Sequence, residues 1–341
     1  MRWISVYILM AFQLFASGKP FPQPMDSLIH RGIGQSLSDQ FDAALETFEQ
    51  LEARCPKHPV GPYYMAATLQ SKMMRYETDR WEPRFFELSD TTLARSEKWL
   101  KQYGDKPWIY FFQGSLRSNL GLYQAKRGHV VKGFVIAEKG VDDLMRAVML
   151  DSSLYDAYLG IGNYKYWSGK FYRYIRWLPF IRDERKLGLA ELKLGMEKGC
   201  FSYWLGVNSL AWLEYDIQNY QEAIRLFELG AAEFDSSLIW LWGLADTHKE
   251  AKHYETALHY YQYIVRTVKN DPLESGYNEV LARWKIILCL DALERYDELI
   301  IQEKAMRNRP VEACMLSKAI DRRAKAEKLR KKAEKKILRN R

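Results

Sequence analysis

Few residues of this chain sit at spacings that do chemistry. His248 and His253 are five apart, with His253 expected in the turn before a helix, and no HExxH or other histidine metal motif accompanies them. Gly160-Ile-Gly162 lacks a third glycine and a preceding strand, so it cannot cradle a dinucleotide. Neither GxxxxGK[ST] nor GxSxG occurs. Asp142-Asp143 and Asp183-Glu184 are adjacent carboxylates; neighbours on a helix point about 100° apart and do not converge on one substrate atom. They read as solvated faces or caps. Cys55, Cys200, Cys289 and Cys314 form no CxxC. They read as small buried hydrophobes, with Cys289 and Cys314 the pair to watch in an oxidising compartment. No cofactor and no metal are expected, and the chain reads as a non-enzyme.

The segment Tyr155–Phe180 is the densest in rings, and Lys170, Arg173, Arg176, Arg182 and Arg185 interleave with them or follow them. Rings stack on apolar or sugar surfaces, and guanidiniums hold carboxylate or phosphate. The residues 164–185 therefore offer a lobe for a sugar or an acidic small molecule. They equally suit a membrane interface, where exposed Trp177 would sit at headgroup level, or an ordinary long loop packed on the fold.

The elements that position these residues are helical. Four segments read alike: Phe41-Asp-Ala-Ala44-Leu, Tyr220-Gln-Glu-Ala223-Ile, Tyr254-Glu-Thr-Ala257-Leu and Tyr296-Asp-Glu-Leu299-Ile. Two are 34 residues apart, the period of a helix–turn–helix repeat. Val207, Ala211 and Tyr215 share one helical face, and Ala223, Phe227, Gly230 and Phe234 share the next. The following unit repeats this with Leu241, Ala245 and His248, then Ala257, Tyr261 and Ile264, and Asp271-Pro272 ends it. Sustained alternation of the strand type is missing.

This pattern resembles the tetratricopeptide repeat superfamily in a divergent, exported bacterial form. Ala223, Phe227 and Gly230 match the second helix of its consensus; Ala257 and Tyr261 match in the next unit; Ala44, Phe48 and Pro56 match near the N-terminus; and Ala157, Tyr158, Ile161 and Gly162 resemble a first helix. The resemblance implies an all-α, right-handed solenoid of stacked antiparallel helix pairs. We expect about seven units, at 25–58, 59–104, 105–151, 152–200, 203–237, 238–272 and 274–310, the third and fourth longer than standard with a helix over Val130–Leu150. It further implies a scaffold whose first helices hold a protein or peptide. Asn163, Asn208, Glu214 and His248 would face that partner, joined by Tyr166, Trp167 and Arg173 from the aromatic segment.

The two ends differ from this body. Residues 1–18 read as a signal peptide: Arg2, an apolar run Ile4–Phe15, then Ala16-Ser17-Gly18 before cleavage at Lys19. Residues 19–24 form a proline-rich linker, 25–310 the repeat domain, and 311–341 a basic helix or tail. The net charge of +8 is concentrated in Lys318–Arg341, which holds 12 Lys or Arg against 3 acids. The rest is near neutral, so the whole-chain charge says little about partners. The tail suits an anionic membrane surface or simple solvation, with a stripe Ile320, Ala324, Ala333, Ile337 to seat it on the last repeat. Nucleic acid is disfavoured, as no binding motif supports it. The expected location is the periplasm or bacterial cell envelope.

Overall fold

The computed structural model describes residues 23–172 and 183–339. The expected signal segment and linker thus lie outside the described residues, save for the start of the first helix. Fifteen helices follow one another, and the described residues contain no strand. They are α1 (Gln23–Leu37), α2 (Phe41–Arg54), α3 (Val60–Tyr76), α4 (Glu82–Tyr103), α5 (Pro107–Lys126), α6 (Val130–Leu150), α7 (Tyr155–Tyr172), α8 (Arg185–Lys198), α9 (Tyr203–Asp216), α10 (Tyr220–Glu233), α11 (Leu238–Glu250), α12 (Tyr254–Lys269), α13 (Tyr277–Ala292), α14 (Tyr296–Arg307) and α15 (Ala313–Arg339). The first fourteen form seven consecutive pairs within a few residues of the expected spans, and α15 is the basic helix. Among the described residues the chain is all-α and built of consecutive helix pairs.

One turn recurs. In each of the six pairs whose connection is described, the first helix is followed by a residue in left-handed geometry: Asp39, Glu77, Gly128, Gln218, Lys252 and Glu294. The following N–H donates back five residues to the helix, for example His253 N to His248 O at 2.8 Å and Asn219 N to Glu214 O at 2.9 Å. This satisfies a carbonyl that the helix end would otherwise strand. Five of these turns lead straight into the second helix at Phe41, Val130, Tyr220, Tyr254 and Tyr296. Three residues later Ala44, Gly133, Ala223, Ala257 and Leu299 are buried. The similar short segments of the sequence are therefore the first turns of second helices.

The chain divides into two compact units: one of residues up to Gln70 with 84–203, the other of 71–83 with 204–341. In the first, Phe48, Phe85, Phe112, Leu144 and Leu192 are fully buried. His58 opens α3 by accepting the Val60 N–H on Nδ1 at 3.1 Å, and its ring lies against Trp99 and Phe112. Burial, then the Arg95 charge, lowers its pKa to about 4. Asp156 accepts from the Cys200 and Phe201 amides, each at 2.8 Å, and from the Ser202 hydroxyl, so it ties the start of α7 to the chain entering α9.

Here the helices of a pair meet at glycines. Gly114 faces Gly140 and Gly121 faces Gly133, so a Cβ at Gly114 or Gly121 would stand 2.6 Å from the opposing carbonyl oxygen. Gly162 and Gly188 oppose each other in the same way between α7 and α8. Spacings of seven on α5 and on α6 return the glycines to one face after two turns, and the backbones close on each other. Gly160 and Gly162, excluded as a cofactor loop, are interior residues of α7: Gly162 lies in this seam, and Gly160 faces the Leu144 side chain of α6.

In the second unit rings take that place. Trp240, Phe227 and Tyr261 are fully buried. A Cβ on Gly230 would strike the Trp240 ring, and one on Gly243 the Phe227 ring. The end of α3 and its turn belong here too: Arg75 pairs with Glu274, Asn278 Nδ2 donates to the Arg75 carbonyl at 2.8 Å, and Thr78 Oγ1 donates to Glu312 at 2.7 Å. Burial raises the Glu274 carboxyl against the opposing pull of Arg75.

The basic helix α15 packs on α13 and α14. Its seat is Met315, Ala319, Ala326 and Ala333, with Leu329 and Ile337 half-buried beside them. The expected stripe is corrected at Ile320 and Ala324, both of which are exposed and outside this seat. Alanines seven apart let this helix lie close, which bulkier Ile320 would prevent. The cysteines are corrected as well: all four are free, and only Cys289 is buried, with Cys200 exposed. Asp143 is not a solvated carboxylate, because it pairs with Arg117 and is half-buried.

Candidate partner-binding face

Counting back twelve residues from Tyr220, Tyr254 and Tyr296, the second-helix openings of the last three pairs, gives Asn208, Trp242 and Trp284. All three lie on first helices, α9, α11 and α13, and are half-buried. The repeated turn fixes this register, because the distance from the turn back along the first helix is the same each time. Trp242 and Trp284 rest their bodies on the buried core of the second unit. The Trp242 ring stands 6.0 Å from Tyr261. Asn208 Nδ2 is buried with no acceptor, and an unsatisfied buried donor is uncommon and costly.

Between these positions lies a polar group. Asp246 on α11 accepts from the Tyr261 hydroxyl, and Lys285 on α13 reaches its Oδ1 at 3.0 Å. Tyr215 on α9 is half-buried near the same carboxylate. Burial first, then the Asp246 charge, drive its phenol well above the usual range, so it stays protonated and can donate. The face combines two indoles, a carboxamide, an ion pair and a phenol. Such a set can hold apolar side chains, a peptide amide and a charged group. It offers no activated nucleophile: burial pushes the Cys289 thiol up to about 12.

The sequence-named residues fall in three places. Asn208 belongs to this face. Glu214 and His248 occupy one equivalent position, the last turn of a first helix, and both reach across the turn. Glu214 is buried and accepts from Asn219 Nδ2 at 2.8 Å; His248 Nδ1 lies 3.3 Å from His253 Nδ1 and its ring stacks on Tyr260. Burial and then His253 lower the His248 pKa, keeping it neutral near pH 7. Both side chains thus reach across the turn that follows their helix. Asn163, Tyr166 and Trp167 lie on α7 in the first unit: Asn163 donates to its own helix at Leu159 O, Tyr166 is buried, and Trp167 is exposed. Arg173 lies outside the described residues, as do Arg176, Trp177 and Arg182, so the sugar or acidic-ligand lobe has no geometry here. Among the described residues no group of three or more His, Cys, Asp or Glu is placed to hold a metal, and no helix is long and apolar enough to cross a membrane. Trp242, Trp284, Asp246 and Lys285 carry no mark that singles them out in the sequence taken residue by residue. The twelve-residue offset from each opening tyrosine is the signal that finds the two tryptophans.

No family model and no curated protein matches the chain. Among solved structures it is similar to yeast Tom70, at 14% identity and a TM-score of 0.45, over 88% of this chain and 62% of that one. It is also similar to a tetratricopeptide repeat protein from Parabacteroides merdae, at 15% identity and 0.41, over 89% and 100%. A third is a thermophilic tetratricopeptide repeat protein from Thermus thermophilus, at 16% and 0.40, over 65% and 98%. The chain spans less than two thirds of Tom70.

Proposed function

We propose that the protein is a non-enzymatic repeat scaffold that holds an extended protein or peptide segment along Asn208, Trp242 and Trp284. The observation that carries this is the register: repeated helices place one ring or carboxamide per pair at a constant offset, beside the Asp246–Lys285 pair. Residues spaced by a structural repeat suit a ligand that is itself extended. The test is capture of partners from envelope extract with the full chain. A Trp242→Ala/Trp284→Ala variant should lose a specific protein partner roughly tenfold or more in affinity, since aromatic anchors dominate such interfaces. Equal capture by the variant overturns the assignment to this face, and recovery of small molecules without any protein overturns the scaffold.

The proposed place of action is the bacterial cell envelope, and its support is the apolar run Ile4–Phe15 with the small residues after it. Export should yield a mature chain beginning at Lys19, read by N-terminal sequencing. A second reading concerns α15. Lys328, Lys331, Lys332, Lys335, Lys336 and Arg339 line an open depression of about 460 Å³. That density of cations favours contact with an anionic surface. Lys328→Glu/Lys335→Glu should weaken retention on anionic vesicles if this reading holds.

A further inference from the structure

The turn between paired helices carries a second recurrence, in the side chains that stand five residues apart across it. In the third pair His129 Nδ1 lies 3.0 Å from Gln124 Oε1, and in the fifth Asn219 Nδ2 donates to Glu214 Oε2 at 2.8 Å. Each couples a nitrogen to an oxygen inside the usual hydrogen-bond range of about 2.7–3.2 Å. In the sixth pair both positions hold imidazoles, His248 and His253, and their Nδ1 atoms stand 3.3 Å apart. That is long for a hydrogen bond, and both atoms are metal-ligating nitrogens. The backbone fixes where the two rings start: Lys252 is left-handed, and His253 N donates to His248 O at 2.8 Å. His248 is half-buried with its ring stacked on Tyr260, and His253 is exposed. Among the described residues neither ring has a second hydrogen-bond partner.

Two imidazole nitrogens at this separation fit one kind of cation. Zinc binds nitrogen at about 2.0–2.1 Å in a tetrahedral array, so two of its ligands stand about 3.3–3.4 Å apart. Bonds of the same length meeting at a right angle, as in square or octahedral sites, would need about 2.8–3.0 Å. We propose that His248 and His253 bind one zinc ion through their two Nδ1 atoms, across the α11–α12 turn, with water in the two remaining positions. Both rings then carry their hydrogen on Nε2, so two neutral imidazoles release no proton. Of the charged residues at this turn, Lys249 pairs with Glu250, Glu255 with Arg295, and Lys252 is exposed. The ion clips the last turn of α11 to the start of α12 and stabilises that junction by mass action. The site does not rest on the scaffold reading.

The test is calorimetric titration of the full chain, free of any affinity tag, with zinc chloride, and with magnesium chloride as an oxygen-seeking control. Three variants accompany the parent. His248→Glu/His253→Asn installs the pair found at Glu214 and Asn219, so it keeps a hydrogen bond across the turn while removing both imidazoles. His253→Asn removes one ligand. His259→Asn, on α12, leaves both ligands in place. Circular dichroism checks that each keeps its helices. The parent and His259→Asn should take up one zinc and no magnesium. Uptake should vanish in the double variant and weaken at least roughly tenfold in His253→Asn, since losing even an outer-shell partner costs that much. Nuclear magnetic resonance of the histidine ring nitrogens should place the zinc on Nδ1 of both rings. No zinc uptake by the parent would leave the pair a cross-turn hydrogen bond only and overturn the proposal. Equal uptake by the double variant, or loss in His259→Asn, would mark an adventitious ion elsewhere and overturn it too.

Discussion

The pairs α5–α6 and α7–α8 meet backbone to backbone at glycines, whereas the pairs α9–α10 and α11–α12 meet through rings, Trp212 on Phe227 and Trp242 on Tyr261. Both regions use the same left-handed turn, where it is described, and both run first helix against second. The difference lies in what fills the gap. Where Gly114, Gly121, Gly133 and Gly140 close the gap, the backbones touch, Leu144 is buried beside them, and Val131 and Met149 stand outside. Where Phe227, Trp240 and Tyr261 fill it, the apolar bulk is inside and the face shows half-buried tryptophans in register.

The sharpest way to break this contrast is to empty the ring-filled region. Trp240→Ala should cost about 3–5 kcal/mol, since a large buried side chain leaves a cavity that its neighbours close only in part. Hydrogen exchange read by mass spectrometry should show the loss over α10–α12. Restoration of volume by Gly230→Ala, which now finds room where the indole stood, should recover part of it. If the two changes simply add, the ring and the glycine are not filling one space.

Acid provides the next test, because it acts on the first unit through His58. The folded imidazole holds its proton less tightly than the unfolded one, owing first to burial and then to Arg95. The contribution is present in full above the ordinary histidine range. It is lost as pH falls from about 6.5 towards 4, by up to about 3 kcal/mol. His58→Asn offers Oδ1 in place of Nδ1 for the Val60 amide but does not titrate. The parent should lose exchange protection over α2–α5 between pH 6.5 and 4, and the variant should lose much less. Equal slopes would remove His58 as the cause.

Much of this architecture is legible in the sequence. Helical periodicity and the aromatic-x-x-small marker locate the pairs, and Asp271-Pro272 announces the end of α12. Non-local features leave no such mark. The Arg75–Glu274 pair joins residues 199 apart, and no local period encodes it. The glycines of α5 to α8 weaken helix propensity when read alone, and only their partners across the seam explain them. On α15 alanine recurs on several faces, so the true seat at Ala319, Ala326 and Ala333 is not separable from a stripe led by Ile320. Glu214 and His248 read as groove residues because their types suit recognition; their contacts with Asn219 and His253 across the turn leave no mark in the sequence. Tyr166 is legible as aromatic but not as buried.

The seam itself is tested at Gly114. Gly114→Ala places a Cβ against the Gly140 carbonyl, so helices α5 and α6 must part, at about 1–3 kcal/mol. Unlike the clash at Gly230, this one meets backbone. Shortening the Leu144 side chain, the other near neighbour, should therefore not rescue it, and rescue by Leu144→Ala would refute a backbone seam.

The smallest effect is the control for all of these, and it comes from two glycines on α1. A Cβ on Gly32 would strike the Phe48 ring, while one on Gly34 meets nothing within 4 Å. Both sit in helix interior, where alanine is preferred over glycine by about 0.5–1 kcal/mol because it loses less backbone freedom on folding. Gly34→Ala should therefore stabilise the first unit by about that amount. Gly32→Ala carries the same intrinsic gain, but the ring must yield, so it should destabilise. Denaturant midpoints of the two variants separate propensity from packing within one helix. A loss at Gly34 equal to that at Gly32 would mean that these glycines serve the backbone alone, and the contrast between glycine-closed and ring-filled pairs would lose its physical basis.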